Sequence, residues 1–469
     1  MTASPGPFLH NGGMLIIYAM FVLGSGLGVL FVVVKAWRLR TTIYRYDVRR
    51  DQHYDFPQSS TTRIAGQLLN GSLDIQSPTQ SDGVVLLELR IRSTLLGHWF
   101  EPYIEIQTTR RKWRQPLERG CAGLRFVQLS QIAQDGKTTI RLKGRCLRIG
   151  DQPVALHYFQ HDVDFDRQRI LVLASHPDDA EIAAFGVYCD RDAYVITLTA
   201  GEEGELGPFK RFGSHHAHRE KGRNRAWNSV AVPMLGGLSI KRTANLGYFD
   251  GTLTTMKEHP EIPVRSLHAD AETLDAFGAS EDASLIEPRC NRRATWPNLV
   301  ADIEHLVKRI EPDIIVAPYP RLEAHPDHKM STVALVEALT NLNWRHGSLL
   351  LYTNHLCSTD RYPFGDAGDL VSLPPGLDDI FFDGIVSNSL DAEKQARKHM
   401  ALDAMVDLRP DIQIDSVRSV AKAFEKVLRT TLTDGHMSYF RQAVRANELF
   451  FQVRVSSLYE PGVIDRILG

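Results

Sequence analysis

The sequence predicts an α/β protein built on a doubly wound, mostly parallel sheet, with an N-terminal transmembrane helix and a small antiparallel β domain ahead of it. Three observations predict this. Residues 14–34 form an uncharged apolar run. From about 61 to 165, apolar and polar residues alternate with period two, the pattern of half-buried antiparallel strands. From about 166 to 469, short apolar runs alternate with helical stretches, the arrangement of parallel strands with helices on both faces.

The apolar run, MLIIYAMFVLGSGLGVLFVVV, has 21 residues. At about 1.5 Å per residue, a helix of that length crosses a hydrocarbon core of about 30 Å. A cleaved signal peptide would start basic and end at a small-x-small site. Residues 1–13 contain no Lys or Arg, and KAWRLR follows the run, so a retained single anchor is expected. Over 35–50, Lys35, Arg38, Arg40, Arg45, Arg49 and Arg50 then stand against one acid, Asp47, at the start of a basic juxtamembrane linker over 35–60. Positive charge stays on the cytoplasmic side. Residues 1–13 are therefore expected outside the inner membrane, with the catalytic part on its cytoplasmic side. Gly24 and Gly28 make a G-x-x-x-G step. That spacing lets such helices form a homodimer, although a glycine-tolerant span shows it too.

The formal net charge of −2 gives no reason to expect nucleic-acid binding by the chain as a whole. The five cysteines include no C-x-x-C pair, which argues against a cysteine zinc site or a disulfide framework.

In the β domain, LELRIR (87–92), YIEIQT (103–108), LRFVQL (124–129) and IRLKGRCLRI (140–149) alternate, with Asp82-Gly83 and Asp135-Gly136 as turns. A sandwich or open barrel is expected, serving as spacer, docking surface or lid. Beyond it, ILVLA (170–174), YVITLT (194–199) and DIIVAPY (313–319) read as strands. NLVADIEHLVKRI (298–310) reads as an amphipathic helix, and helices are expected at 391–405 and 415–432.

Two of the strands end in related motifs, His176-Pro-Asp-Asp179 and His325-Pro-Asp-His328. Open parallel sheets bind ligands at the carboxyl ends of their strands. Each proline holds the preceding histidine extended, and the acids after it suit a helix N-terminus. Two imidazoles and a carboxylate form a catalytic zinc shell with one position left open. His176, Asp179 and His328 are the expected ligands of one ion. Asp178 and His325 then stand beside it, as proton acceptor and as oxyanion partner and acid. The set suits hydrolysis of an amide.

At these residues the chain resembles the PIG-L/LmbE family of zinc-dependent de-N-acetylases. Ser175-His-Pro-Asp-Asp-Ala-Glu181 stands for that family's A-H-P-D-D-x-E, and His325-Pro-Asp327-His328 for its H-x-D-H. The resemblance covers about 168–355. It implies a Rossmann-like fold, a single catalytic Zn2+ on His176, Asp179 and His328, Asp178 as base and His325 as electrophile and acid. It implies Asp327 as the residue that tunes His325, Arg219 as a contact to an anionic group and Asp250 as a contact to a sugar hydroxyl. Phe185 and Gly222 depart from the family pattern, and the long 254–296 segment is expected to shape the acceptor pocket. The resulting expectation is removal of acetyl from an N-acetylated amino sugar. With a membrane anchor, a lipid-linked glycan or lipopolysaccharide precursor is the expected carrier. Hydrolysis of another amide or ester, and a catalytically idle membrane-tethered scaffold, are the rivals.

The histidines of SHHAH (214–218) read as a solvated loop, and His355 and His399 as structural. Arg219, Lys221, Arg223 and Arg225 read as a phosphate contact or a solvated helix face. No G-x-S-x-G, P-loop or G-x-G-x-x-G stands on a strand–turn–helix, so serine-hydrolase, NTPase and dinucleotide chemistries lack their parts.

Overall fold

The computed structural model describes residues 43–76, 83–109, 111–133, 137–288, 291–377, 379–408 and 442–469. The expected membrane helix at 14–34 and helix at 415–432 lie outside the described residues. Among the described residues, no helix is long and apolar enough to cross a membrane. Every element named here belongs to one compact unit, Tyr46–Gln413 with His436–Gly469.

Nine strands come first: β1 (Thr61–Leu68), β2 (Ser72–Gln76), β3 (Val84–Ser93), β4 (Tyr103–Gln107), β5 (Lys112–Pro116), β6 (Ala122–Gln128), β7 (Lys137–Arg145), β8 (Leu147–Arg148) and β9 (Gln152–Phe159). They form two antiparallel sheets, β1-β9-β3-β6 with β8 on β3, and β2-β7-β4-β5. Ile75, Ile104, Ile106 and Ile140 of one sheet share a buried core with Leu87, Leu89, Val127 and Leu156 of the other. This is a β-sandwich. Strand β9 is buried without a break from Val154 to Phe159, as expected for a strand covered on both faces.

The third sheet holds β10 (Ile170–Ala174), β11 (Ala193–Thr199), β12 (Thr243–Tyr248), β13 (Ala279–Ser280), β14 (Ile314–Pro318), β15 (Ser348–Tyr352), β16 (Gly384–Ser389) and β17 (Asn447–Arg454). Their order is β13-β12-β11-β10-β14-β15-β17-β16. The stretch from β12 to β15 is parallel, β13 and β17 run opposite to it, and β16 pairs antiparallel with β17. Strands β10 and β14 are buried at every position, as expected for parallel strands covered on both faces. The chain leaves β10 for β11 on one side and returns to β14 on the other. This is a topological switch point, and the crevice there opens at the carboxyl ends of β10 and β14.

Five helices matter for the site: α1 (Asp179–Tyr188), α2 (Ser214–Ala231), α3 (Trp296–Ile310), α4 (Pro326–Asn341) and α5 (Ala392–Ala404). Helix α3 starts where the Thr295 hydroxyl accepts from the Asn298 amide, a polar cap with proline in the first turn. Leu299, Ile303, Leu306 and Ile310 bury its inner stripe. Helix α4 is capped by the histidine of its own motif: His325 accepts from the Asp327 amide, and Pro326 opens the helix. Residues 214–218, expected as a loop, form the first turn of α2.

The sandwich and the α/β part share an aromatic cluster. Phe56 lies 5.2 Å from Phe126 and 4.9 Å from Phe159 on the sandwich, and 6.3 Å from Phe382 on the other side. Arg114 of β5 donates to Asp369 at 2.8 Å. Leu370 and Ala446 are buried within the sandwich core.

Candidate metal centre

The His176-Pro-Asp-Asp179 turn begins where β10 ends. Its backbone is strained: Asp178 has φ 140° and ψ −26°, a conformation that costs a non-glycine residue about 1–3 kcal/mol. Three bonds hold it. The Asp179 carboxylate accepts from the His176 amide at 2.8 Å. The Asp179 amide donates back to the His176 carbonyl at 3.2 Å. Arg225, reaching over from α2, donates to the Pro177 carbonyl at 2.8 Å. Opposite, Ser175 bonds Ser331 of α4 at 2.8 Å, joining the two motif-bearing segments.

Three atoms converge between them. His176 Nδ1 lies 3.1 Å from His328 Nε2 and 3.4 Å from Asp179 Oδ2, and His328 Nε2 lies 3.1 Å from Asp179 Oδ2. Ligands of a tetrahedral ion with bonds of 2.0–2.1 Å stand about 3.3 Å apart, so the spacing suits one small divalent cation. The sets His176, His325, His328 and His176, Asp250, Asp327 also offer ligand atoms, all within 4.8 Å of one another. Both reuse His176.

The surroundings orient the three. Asn354 donates to the other Asp179 oxygen at 2.8 Å. Glu323 Oε2 lies 3.1 Å from His328 Nδ1. Asp250 Oδ1 and Asp327 Oδ2 stand 3.0 and 3.4 Å from His176 Nε2. Carboxylates on the outer nitrogens leave the inner nitrogens free to bind a metal. His176 Nε2 and His328 Nδ1 are nonetheless buried without an aligned hydrogen bond.

The electrostatics favour positive charge. Burial lowers the His328 imidazole, but Asp179 and Glu323 outweigh it and push it up to about 10. Burial likewise opposes a charged His176, yet Asp250, Asp179 and Asp327 hold it well above the usual range. Burial raises the Asp179 carboxyl, but His328 and His176 bring it well below the usual range. A buried cluster this rich in carboxylates needs compensating positive charge, which protonated imidazoles or a cation can supply. The converging donors and that need both fit a divalent metal.

Asp178 stays outside the trio. It pairs with Arg225 at 3.1 Å, and Arg225 also pairs with Asp407. Burial pushes the Asp178 carboxyl up to about 7, with Arg225 opposing and Asp179 and Asp407 adding to the rise. The His325 ring meets the His176 ring edge-on at 4.6 Å. Burial and the neighbouring imidazoles push His325 down to about 4. It is a neutral imidazole whose Nδ1 accepts from the Asp327 amide at 3.3 Å, so the proton sits on Nε2.

The charge of Asp327 acts to raise His325, while its carboxylate accepts from the Gly251 and Leu253 amides at 2.7 and 3.3 Å. Asp250 packs on His176, its Oδ1 3.0 Å from Nε2. The Arg219 Nε is buried without a hydrogen-bond partner among the described residues. Of the basic α2 residues, only Arg223 is paired at the surface, with Glu220. Lys221 is buried and Arg225 turns inward. His355, expected as structural, has its ring 5.2 Å from that of His328.

The sequence reading missed Glu323, Asn354 and Arg225 as site residues. Glu323 stands two residues before His325 in EAHPDH and was the easiest of the three to find. Gly222, a departure from the family pattern, has a local reason. A Cβ there would stand 2.6 Å from the Phe277 ring and 2.8 Å from the Glu202 Cβ.

Residues 171–339 match the family model described as PIG-L, GlcNAc-PI de-N-acetylase. No curated protein matches the chain. Among solved structures, the A40926 pseudoaglycone deacetylase Dbv21 is 18% identical, with 62% of this chain and 99% of that chain covered and a TM-score of 0.32. The zinc-inhibited form of teicoplanin deacetylase Orf2 is 14% identical, with 61% and 98% covered and a TM-score of 0.33. The 4-carboxy-2-hydroxymuconate hydratase GalB of Pseudomonas putida KT2440 is 12% identical, with 61% and 96% covered and a TM-score of 0.32. These likenesses are too distant to bear on chemistry, and the assignment rests on the matched segment. Over residues 171–339, from β10 to α4, the chain carries a domain of the PIG-L family.

Proposed function

We propose that the protein is a zinc-dependent hydrolase that removes the acetyl group from an N-acetylated amino sugar on a lipid-linked glycan or lipopolysaccharide precursor. The observation that carries this reading is the convergence of His176 Nδ1, Asp179 Oδ2 and His328 Nε2 within 3.4 Å beside an unligated Asp178. The family match over 171–339 supports an amide of an amino sugar.

A divalent ion held by these three residues supplies a Lewis acid and makes a nearby water more acidic. The remaining steps belong to the chain. Asp178 takes a proton from the attacking water as the water oxygen bonds to the acetyl carbon. His325 Nε2–H donates to the carbonyl oxygen as negative charge develops there. The C–N bond breaks as Asp178 passes the proton it took from water to the nitrogen, which regenerates its carboxylate and leaves a free amine and acetic acid, ionised to acetate. The strain at Asp178 and its bond to Arg225 fix the base in place.

In this reading the uncharged run at 14–34 anchors the protein in the inner membrane, with the domain on the cytoplasmic side and homodimer formation open through Gly24 and Gly28. Metal analysis of the purified protein, with acetate release from N-acetylglucosamine glycolipids, tests the proposal. Zinc at one per chain with acetate release supports it. Cleavage only of other amides or esters would replace the substrate, and a metal-free protein without hydrolysis would leave the scaffold reading.

A further inference from the structure

At one end of the sandwich, the turn between β3 and β4 exposes four large apolar side chains. Leu95 is 86% exposed, Leu96 60%, Trp99 52% and Phe100 61%. This turn is built, not frayed. Gly97 is buried, and a Cβ on it would stand 2.2 Å from the Cys146 carbonyl. Its amide donates to the Thr94 carbonyl at 3.0 Å, its carbonyl accepts from Gly120 at 2.9 Å, and Thr94 donates to the Cys146 carbonyl at 3.0 Å. The apolar side chains are therefore held outward by backbone pinned beneath them.

Beside this turn lies an open basin lined by Arg49, Arg92, Arg148, His98 and Leu95. The strand register sets Arg92 directly opposite Arg148. Like charges in that position repel, and among the described residues none of the three arginines has an ion-pair partner. An anion placed between them relieves the repulsion. Apolar and aromatic tips beside unpaired arginines match the interface of an anionic bilayer in both chemistry and charge.

We propose that this end of the sandwich is a membrane-contact surface. Leu95, Leu96, Trp99 and Phe100 enter the interface of an anionic bilayer, and Arg49, Arg92 and Arg148 hold a lipid phosphate. The proposal stands apart from the deacetylase reading and from the N-terminal run.

Hydrogen–deuterium exchange on the full-length chain tests it, using nanodiscs of phosphatidylcholine alone or mixed equally with phosphatidylglycerol. The amides of 94–100 should exchange more slowly with the anionic discs. Arg92→Gln and Arg148→Gln should each lower the protected population about fivefold, the loss expected for one surface cation. Unchanged exchange over Ile170–Ala174 would report an intact fold. If a variant is unfolded, the wild-type comparison of the two lipids decides alone. Equal exchange with both discs overturns the proposal. Protection by inorganic phosphate without lipid also overturns it, in favour of a simple anion site. Protection only by an added protein overturns it in favour of a protein-docking face.

Discussion

His176 Nδ1 and His328 Nε2 stand 3.1 Å apart across 152 residues of sequence, and Asp179 closes the third side at 3.1–3.4 Å. Two imidazole nitrogens aimed at one another and at a shared carboxylate oxygen form a cation site. Replacing His328 or Asp179 by Ala should abolish stoichiometric metal binding, read by metal analysis after gel filtration. Chelation of the wild type should abolish turnover, and added zinc should restore it. Full activity after complete metal removal would contradict the assignment.

Asp178 is assigned the proton transfer. Asp178→Asn should retain the metal and reduce kcat by about 100- to 10,000-fold, the span of a general base. A base works only when deprotonated, so activity should fall as pH drops through its pKa. Burial sets the carboxyl at about 7 and a bound cation lowers it, so the acid limb lies at or below about 7. Arg225 opposes the rise. Arg225→Gln should therefore move that limb to higher pH, which a kcat/KM profile would read; an unmoved limb would dissociate Arg225 from Asp178.

Asn354 and Glu323 act through the ligands they touch. Asn354→Ala frees one Asp179 oxygen, and Glu323→Gln removes the charge beside His328 Nδ1. Each should weaken metal affinity about 10- to 100-fold. Competition with a fluorescent zinc chelator would measure the change, and kcat at saturating metal should move far less.

Gly222 is a packing position. Gly222→Ala puts a methyl within 3.0 Å of Phe277 and Glu202 and should cost about 1–3 kcal/mol. Thermal unfolding would register this as a lower Tm. Because Glu202 accepts from the Asp250 amide at 3.2 Å, some loss of activity should accompany it.

The convergence of His176, Asp179 and His328 was legible because the first motif directly follows β10 and the second opens α4 beyond β14, where spacing and proline fix the geometry locally. The residues that orient it were not. Asn354 follows β15, and Asp407 lies beyond α5, so only the three-dimensional packing brings them to the turn after β10. Arg225 shares a basic run whose other members face different ways, and composition does not tell an inward arginine from a solvated one. Asp250 and Asp327 also stand against His176, a contact that the sequence does not reveal. A short acid near a histidine cluster has several imidazoles to choose from, and the backbone path of the loop decides among them.

The shared aromatic cluster and the seating of Leu370 and Ala446 inside the sandwich bear on how this chain evolves and how it can be dissected. Severing it between β9 and β10 would strip both halves of apolar cover. Neither fragment should behave as a well-folded monomer, and the sandwich should not be exchangeable among relatives as a detachable cassette.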